Sequence, residues 1–350
     1  MLPEDIQRGR VFLTTRDQMQ RLRGLYILDK ESFDLIYGAD EQRDIAVFVD
    51  ILAPAQTKDS IRANPALLAD VEIIFSGWGA PLMDGRFLAA APNLCAVFYG
   101  AGSVRTFVTD TFWERNIILT TAATANALPV SEYTLAAILF SLKHGWQYAM
   151  QVKRDGRFPA KTIAPGVYES TVGLVSLGLI GRLVRERLRP FDLRVLAYDP
   201  YVKPEYAREL DVQLLPLAEL FRRSDVVSLH TPLLEETEGM ITGAHFSLMK
   251  PGATFINTAR GAIVNEKEMI EVLKQRPDLH AVLDVTHPEP PEPGSPLYTL
   301  PNVILTPHIA GSMNGECHRM GRYMVEDLRR FVDGKPLRWQ VTREANTHRA

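Results

Sequence analysis

The chain is poor in cysteine and lacks both a long basic run and a long uninterrupted apolar run. Its two cysteines, Cys95 and Cys317, are too few for a disulfide framework or a four-thiolate metal site. We therefore expect no metal and interpret both as structural thiols in the reducing cytoplasm. A net charge of −3 without a basic stretch argues against nucleic acid as a partner. Because no apolar run reaches about 18 residues, we expect no membrane-spanning helix.

The N-terminal residues are charged where a signal peptide would need an apolar segment. Six charged side chains lie among the first twenty residues: Glu4, Asp5, Arg8, Arg10, Arg16 and Asp17. We therefore expect residues 1–22 to be an extension ahead of the first domain.

A length of 350 residues favours two domains, and each half of the chain alternates short apolar runs with helical patterns. This alternation is typical of parallel strands joined by crossover helices. The first series predicts strands over 24–28, 47–52, 71–75, 94–99 and 117–121. The second series predicts six strands, over 171–177, 194–198, 226–229, 253–257, 281–285 and 303–306. Between the two series we predict a long helix from about Val130, with Pro129 and Ser131 marking its start.

A glycine-rich turn follows the first strand of the second series. In Gly178-Leu179-Ile180-Gly181, the first glycine lets backbone approach a pyrophosphate and the second lets a helix pack closely on the strand. The N-terminus of that helix supplies N–H donors to the phosphates. Ser176 occupies the first glycine position of the G-x-G-x-x-G pattern, and we expect it to be tolerated there only if its φ is negative.

Asp199 ends the next apolar run, 21 residues after Gly178. A carboxylate at this position accepts hydrogen bonds from the adenosine ribose and repels a 2′-phosphate, which predicts NAD rather than NADP. The alternative is a helix-capping Asp in an unrelated strand–turn–helix fold.

Three further residues form a candidate catalytic group. Arg260 follows strand 253–257 and can hold a carboxylate with its planar fork. His308 follows strand 303–306 at the same sheet edge and can exchange a proton with a carbonyl oxygen. Glu289 lies in a proline-rich loop after strand 281–285, and a carboxylate beside an imidazole orients the ring and favours its protonated form. Each residue alone is more often a surface ion pair, a structural histidine or a solvated loop residue. Together they predict hydride transfer involving an anionic 2-oxo or 2-hydroxy acid.

From about residue 24 onward the chain resembles the D-isomer-specific 2-hydroxyacid dehydrogenase family. The stretches that carry this resemblance are 172–182, 230–233, 249–253, 257–262, 283–290 and 301–308. The resemblance implies an α/β fold with two doubly wound parallel sheets, in which a Rossmann NAD-binding domain (130–315) is inserted into a flavodoxin-like substrate domain (1–129 and 316–350). It also implies a homodimer formed through the cofactor domain.

The resemblance assigns roles to individual residues. It implies that Arg260 binds the substrate carboxylate, that His308 is the acid/base and that Glu289 is its partner. Asp284 is expected to contact the nicotinamide carboxamide. The remaining expected cofactor contacts are His230, Thr231, Pro232, Thr258, Ala259, His308 and Gly311. The remaining expected substrate contacts are Trp78, Gly100, Ala101 and Gly102, although Trp78 could equally be a core residue at a strand end.

Two other functions remain open. Within the same superfamily, formate enzymes pair the histidine with Gln, so Glu289 argues against them, whereas phosphite oxidation keeps the Arg, Glu and His. The other alternative is a non-catalytic NAD-sensing protein that recruits partners, like the corepressors built on this fold. Because family members with a regulatory module extend well beyond the last helix, whereas this sequence ends at Ala350, we expect no such module.

Overall fold

The structure is a computed structural model that describes residues 21–161 and 164–347, which divide into two compact units. The first unit contains residues 21–100, 106–120 and 321–340. The second contains residues 101–105, 121–320 and 341–347, apart from 162–163. The predicted extension falls almost entirely outside the described residues, and the predicted domain limits at 130 and 316 stay predictions.

Twelve strands lie in the described residues: β1 (Leu22–Ile27), β2 (Val49–Ile51), β3 (Ile73–Ser76), β4 (Ala96–Tyr99), β5 (Ile118–Thr121), β6 (Thr171–Val175), β7 (Arg194–Tyr198), β8 (Gln213–Leu214), β9 (Val226–Leu229), β10 (Thr254–Asn257), β11 (His280–Leu283) and β12 (Val303–Leu305).

The α-helices of the same residues are α1 (Lys30–Ile36), α2 (Ala39–Ala46), α3 (Lys58–Ala63), α4 (Gly85–Ala90), α5 (Asp110–Glu114), α6 (Ala123–Leu142), α7 (Gly145–Asp155), α8 (Leu179–Leu188), α9 (Pro204–Glu209), α10 (Leu217–Arg223), α11 (Gly243–Ser247), α12 (Glu266–Gln275), α13 (Gly315–Val332) and α14 (Arg343–Thr347). Short 3₁₀ turns occupy Pro65–Leu68, Glu235–Thr237, Gly261–Ile263 and Pro296–Tyr298.

The first unit is built on a five-stranded parallel sheet in the order β2-β1-β3-β4-β5. This is the strand order of flavodoxin-like folds, as predicted. Every residue of β3 and β4 is buried, as expected for central strands that helices cover on both faces. The core between sheet and helices contains the contacting rings of Tyr37, Phe75 and Phe98.

The second unit is built on a parallel sheet in the order β12-β11-β10-β9-β6-β7-β8. Counted from β6, this is the doubly wound Rossmann order with one more strand at the far edge, so the predicted fold class is confirmed. The prediction of six strands was wrong, because β8 adds a seventh. With two residues, Gln213 and Leu214, β8 is too short to give an alternating pattern.

Helix α6 begins at Ala123, seven residues before the predicted start. Pro129 lies inside the helix, so interpreting it as a start signal was wrong. A proline removes one backbone hydrogen bond from a helix, and burial of Pro129 and its neighbours offsets that loss. Within the described residues, α6 alone is long and apolar enough to cross a membrane by length and composition. It packs against α8, β9 and β10, and Ala137, Ile138 and Leu142 are part of the second unit's core.

Two buried histidines, His144 and His280, lie close together in the second unit. Their ring centroids are 6.2 Å apart. Burial, and then the neighbouring His144, lower the pKa of His280 to about 4, while Asp278 acts in the opposite direction. Burial also lowers the pKa of His144. Both rings are therefore neutral in the folded protein at neutral pH.

This burial predicts a loss of stability in mild acid. An unfolded histidine titrates near pH 6.5. The stability that comes from keeping His280 neutral in the folded protein is complete above pH 6.5. It declines as the pH falls towards about 4, the pKa of His280 in the folded state. Between pH 7.5 and 5, His280 alone is expected to account for about 2 kcal/mol of the free energy of unfolding. Urea unfolding of His280→Gln should therefore depend less on pH than that of the parent. Equal slopes for His280→Gln and the parent would contradict the prediction.

Candidate active site

The second sheet brings most of the predicted site residues to one edge. In a parallel sheet the carboxyl ends of all strands share an edge, where ligands of doubly wound folds bind. The residues that follow the strand ends are Gly178 after β6, Asp199 after β7, His230 after β9, Arg260 after β10, Asp284 after β11 and His308 after β12. Strands β6 and β9 are neighbours from which the chain continues in opposite directions, so Gly178 and His230 flank the switch point of the sheet.

Ser176 adopts a left-handed backbone conformation, which glycine adopts most readily. Its φ is +77°, so the expectation of a negative φ was wrong. The left-handed region costs a side-chain-bearing residue about 1–2 kcal/mol, which the surrounding contacts must offset. The Ser176 N–H donates to the carbonyl of Tyr198 at 2.8 Å, and its hydroxyl donates to Asp199 Oδ2 at 3.3 Å. At the other end of the turn, a Cβ on Gly181 would overlap the carbonyl oxygen of Ser176, so that position requires glycine.

The turn fits the phosphates of a dinucleotide. A Cβ built on Gly178 would meet only the Ser176 hydroxyl, at 3.9 Å, so the space beside this backbone is open. Gly178 caps the ten-residue helix α8 without a side chain, which leaves the first N–H groups of the helix available to an anion. Leu179 and Ile180 form the first turn of that helix. These features are those that a pyrophosphate requires.

Asp199 ties the glycine-rich turn to the loop that follows β7. Its Oδ2 accepts from Leu177 N at 2.8 Å as well as from the Ser176 hydroxyl. Its Oδ1 accepts from Tyr201 N at 2.9 Å and Val202 N at 3.2 Å. A carboxylate has about four acceptor positions, so this side chain organises two loops in addition to carrying the charge that would repel a 2′-phosphate. The ribose contact itself stays a prediction.

His230 lies at the switch point with one ring nitrogen unpartnered. Nε2 is 3.0 Å from the hydroxyl of Ser228, whereas the buried Nδ1 has no hydrogen-bond partner among the described residues. Burial lowers the pKa of His230 to about 3, so the ring is neutral. Thr231 and Pro232 continue from it. A buried nitrogen without a hydrogen-bond partner lowers the stability of the folded protein. The free Nδ1 is therefore consistent with a ligand contact at this position.

Thr258 and Ala259 lie in the turn between β10 and Arg260. Both residues are buried, and the hydroxyl of Thr258 is 3.2 Å from that of Thr134 in α6. The Ala259 N–H donates to the Asn257 side chain at 3.0 Å, and the same side chain donates to the carbonyl of Arg260 at 3.1 Å. Asn257 therefore fixes the turn that precedes and positions the arginine.

Arg260 is partly buried. Its Nη1 donates to the carbonyl of Ala259 at 2.6 Å. Burial lowers the pKa of the Arg260 guanidinium, while the negative charge of Glu289 raises it. The guanidinium has five N–H donors, so most of them remain for an anionic ligand.

His308 and Glu289 form a hydrogen-bonded pair. His308 Nδ1 lies 2.6 Å from Glu289 Oε1, and both side chains are about half exposed. His308 has a φ of +54°, and its N–H donates to the carbonyls of Asp284 and Thr306, each at 3.0 Å. Because Nδ1 faces the carboxylate, Nε2 is the nitrogen left for proton exchange.

Asp284 clamps the loop that carries His308. Its carboxylate is 2% exposed and accepts from the Thr306 hydroxyl at 2.7 Å. It also accepts from Ile309 N and Ala310 N, each at 2.8 Å. Sequence reasoning expected a nicotinamide contact here and missed this loop contact, which no local pattern reveals because the partners lie more than twenty residues away. The nicotinamide contact stays a prediction.

The loop that carries Glu289 is held by contacts that the sequence did not indicate. The Thr286 hydroxyl donates to the carbonyl of Pro288 at 2.8 Å, and His287 N donates to Glu266 Oε2 at 3.0 Å. The His287–Pro288 and Glu289–Pro290 peptide bonds are cis. The proline content of 288–296 was the only available signal of an unusual loop.

The expected substrate residues are divided between the two units. In the first unit, Trp78 follows β3 with 37% of its surface exposed, and Gly100 follows β4 with Ile36 packed against its Cα. In the second unit, the carbonyl of the buried Ala101 accepts from Ala122 N at 3.0 Å, and the space around Gly102 is open. Their roles in substrate binding stay predictions.

Gly311, the last of the expected cofactor contacts, lies beside Asn126 of α6. Asn126 Oδ1 accepts from Ser312 N at 2.8 Å, and a Cβ on Gly311 would lie 3.1 Å from the same oxygen. The absence of a side chain therefore lets this loop approach α6 closely.

Residues 135–310 match the sequence profile described as "D-isomer specific 2-hydroxyacid dehydrogenase, NAD binding domain". The chain belongs to the D-isomer-specific 2-hydroxyacid dehydrogenase family. The matched segment contains the glycine-rich turn, Arg260, Glu289 and His308, and it identifies NAD as the cofactor.

Relatives with named activities are similar over most of this chain. A D-3-phosphoglycerate dehydrogenase of Archaeoglobus fulgidus is 32% identical over 256 residues, 73% of this chain and 49% of that protein. The chain thus spans about half the length of such relatives. A glyoxylate reductase of Korarchaeum cryptofilum is 32% identical over 258 residues, 72% of this chain and 77% of that protein. The crystal structure of a D-lactate dehydrogenase of Aquifex aeolicus, complexed with NAD and lactic acid, superposes with a TM-score of 0.69 at 26% identity, covering 89% of this chain and 96% of that one.

The conformation of Ser176 generates a prediction for two substitutions. Ser176→Gly relieves the left-handed strain and loses one long hydrogen bond, so its thermal midpoint should equal or exceed that of the parent. Ser176→Val places a β-branched residue at the same φ and should lower the free energy of unfolding by about 1–3 kcal/mol. Thermal unfolding of both variants without ligand measures the difference. If valine proves as stable as glycine, Ser176 does not have a positive φ in solution.

Proposed function

We propose that this protein is an NAD-dependent oxidoreductase that transfers hydride between the nicotinamide and a small 2-hydroxy or 2-oxo acid, with D-stereospecificity. The observation that carries the proposal is the His308–Glu289 pair at 2.6 Å, at the same sheet edge as Arg260 and the glycine-rich turn. An NAD-sensing protein without catalysis has no need of a carboxylate-paired histidine beside an arginine. The activities named for the relatives support the same chemistry.

Each residue of the group has a defined task in this reaction. Arg260 binds the carboxylate of the acid and so orients the adjoining carbonyl group. NADH, when bound, supplies the hydride that the carbonyl carbon accepts. His308 donates a proton from Nε2 to the carbonyl oxygen during reduction and takes it back during oxidation. Glu289 stabilises the protonated ring through Nδ1, and Asp284 holds the loop in place.

A direct assay distinguishes the candidate functions. The purified chain is mixed with NADH and, one at a time, with glyoxylate, pyruvate, hydroxypyruvate and 3-phosphohydroxypyruvate, and absorbance at the NADH band is followed. Consumption with at least one acid, and much less with NADPH because of Asp199, is the expected result. Reduction of NAD by phosphite but not by any hydroxy acid would instead indicate phosphite oxidation. Tight NADH binding without turnover of any compound would favour a sensor.

We also infer that the protein is a homodimer formed through its cofactor unit. Helix α7 has no buried residue in the described chain. In the segment that follows it, Phe158 is 90% exposed and Tyr168 is 72% exposed. Aromatic side chains so exposed on one segment favour a surface that a second copy covers.

The role of Arg260 predicts a selective loss in Arg260→Lys. Lysine keeps the positive charge but cannot hold a carboxylate with two parallel bonds. We expect kcat/KM for the acid to fall about ten- to a hundred-fold, the range for losing hydrogen bonds to a charged group. The affinity for NADH, measured by fluorescence titration, should stay within about two-fold of that of the parent. Substitutions that do not touch a binding site usually change its free energy by no more than about 0.5 kcal/mol. The control Arg276→Lys, at a residue paired with Asp278, should leave kcat/KM unchanged. An unchanged kcat/KM in Arg260→Lys would exclude Arg260 as the carboxylate ligand.

The His308–Glu289 pair predicts different losses for its two members. Because the Glu289 carboxylate holds the ring through Nδ1, Glu289→Gln should slow carbonyl reduction about ten- to a hundred-fold, the range for losing one charged hydrogen bond. His308→Gln should slow the chemical step about 10²–10⁴-fold without weakening NADH binding. The measurements are single-turnover kinetics of carbonyl reduction and fluorescence titration of NADH binding. A Glu289→Gln rate equal to that of the parent would remove Glu289 from the mechanism.

The homodimer predicts a change of mass in Phe158→Ser. Light scattering after size exclusion should give a dimer for the parent and a larger monomer fraction for Phe158→Ser, because the variant loses exposed aromatic surface that a partner would cover. Leu82→Ser, at an exposed leucine of the first unit, is the control and should remain dimeric. A monomeric parent would rule out the inference.

A further inference from the structure

An open cleft lies at the edge of the second sheet opposite to the site described above. Its volume is about 720 Å³, and twelve residues line it. Thr171 and Arg194 begin β6 and β7, and Arg223 ends α10 three residues before β9. The cleft therefore lies at the amino ends of these strands, whereas Gly178, Asp199 and His230 follow their carboxyl ends. Strand β7 has five residues and spans about 16 Å between the two edges.

Positive charge is concentrated in this cleft. Its lining contains five cationic side chains and one carboxylate: Arg194, Arg208, Arg222, Arg223, Lys250 and Asp211. Three of the cations are paired in the structure: Arg208 with Glu205, Arg222 with Glu219, and Lys250 with Asp225. Asp211 pairs with the buried Arg185 at 2.7 Å, outside the lining.

Two arginines in the lining are without a partner. The exposed side chains of Arg194 and Arg223 make no hydrogen bond or ion pair with any residue of the described chain. With Asp211 held by Arg185, two uncompensated guanidinium groups line one cleft. Two such groups match the charge of about −1.5 to −2 that a phosphate carries at neutral pH. Guanidinium groups also match phosphate oxygens in geometry.

The floor of the cleft is apolar. Val195, Leu196 and Val212 are buried in the core beneath it, and Leu193 is partly exposed. Small-molecule sites combine apolar walls with a few polar groups and occupy about 300–1,000 Å³. The partly exposed Leu193 thus offers an apolar contact for the organic part of a ligand, beside the cations that bind its phosphate. A nucleic acid would need an extended basic surface, whereas Glu205, Glu219 and Asp225 surround these cations.

We propose that this cleft is a second binding site, for a small phosphorylated organic molecule, in which Arg194 and Arg223 hold the phosphate. The site is separate from the cofactor and substrate site and does not depend on the proposed function. Its ligand does not take part in hydride transfer, since the cleft lies at the sheet edge away from Arg260 and His308.

Calorimetry on the full chain tests the proposal. Saturating NAD is present throughout, so that the probes do not enter the cofactor site, and NaCl keeps the ionic strength constant. The probes are inorganic pyrophosphate and fructose 1,6-bisphosphate, with citrate as an anion without phosphate. We expect both phosphorylated probes to bind, the sugar bisphosphate more tightly than pyrophosphate because it also covers the apolar floor.

Variants locate the binding. Arg194→Gln and Arg223→Gln should each weaken binding of fructose 1,6-bisphosphate about ten-fold or more, the loss expected for one charged hydrogen-bonded contact. Lys267→Gln removes an exposed cation of the same unit outside the cleft and should bind like the parent. Because both arginines are exposed and unpaired, their loss should not unfold the protein, and circular dichroism checks this.

Four results would overturn the proposal. They are no binding of either phosphorylated probe, unchanged binding in both arginine variants, binding of citrate as tight as that of fructose 1,6-bisphosphate, and tighter binding of a short single-stranded DNA that the same variants abolish. The last result would identify the cleft as a nucleic-acid surface. None of these outcomes bears on turnover of 2-oxo acids, so failure here is distinguishable from failure of the proposed function.

Discussion

The buried carboxylate of Asp284 holds the backbone on which the candidate chemistry depends. It accepts hydrogen bonds from a hydroxyl and two backbone N–H groups of the loop after β12, and its own carbonyl accepts from His308 N. A buried carboxylate is stable only when its oxygens accept hydrogen bonds. The loop supplies those hydrogen bonds to Asp284, and the carboxylate in turn fixes the loop. The positive φ of His308 is maintained by this set of contacts. The backbone that carries the imidazole towards Glu289 is thus held in one conformation.

The two residues of the site with a positive φ are held by the same kind of contact, a carboxylate that accepts hydrogen bonds from the loop. Ser176 and His308 both have a positive φ, and each lies within three residues of the end of a strand whose neighbour supplies a carboxylate to the same loop. Asp199 serves the glycine-rich turn as Asp284 serves the histidine loop. Strain at each position is thus offset by charge-assisted hydrogen bonds from the adjacent strand end. The carboxyl edge of the sheet is organised by acidic residues before any ligand binds.

Much of the fold could be predicted from the sequence. Apolar runs located eleven strands with ends within two residues of those observed, because buried parallel strands are apolar on both faces. The two-residue β8 and the start of α6 could not be predicted, since the first has no periodicity and the second continues through Pro129. Within the site, motif spacing brought Arg260, Glu289 and His308 to one edge. The φ of Ser176 and the clamp by Asp284 depend on contacts between distant residues, which spacing alone does not encode.

The contact of Gly261 with the Glu289 loop restricts how such a pocket can diverge. A Cβ at 261 would overlap the carbonyl of Thr286, so the turn after Arg260 and the start of the proline-rich loop touch through backbone alone. An insertion between 285 and 289 would displace the arginine together with the acid. An exposed side chain of the same stretch, such as Tyr298 with 55% of its surface exposed, can change without disturbing that backbone contact. The backbone junction between residues 261 and 286 is therefore the part of this stretch that tolerates the least change.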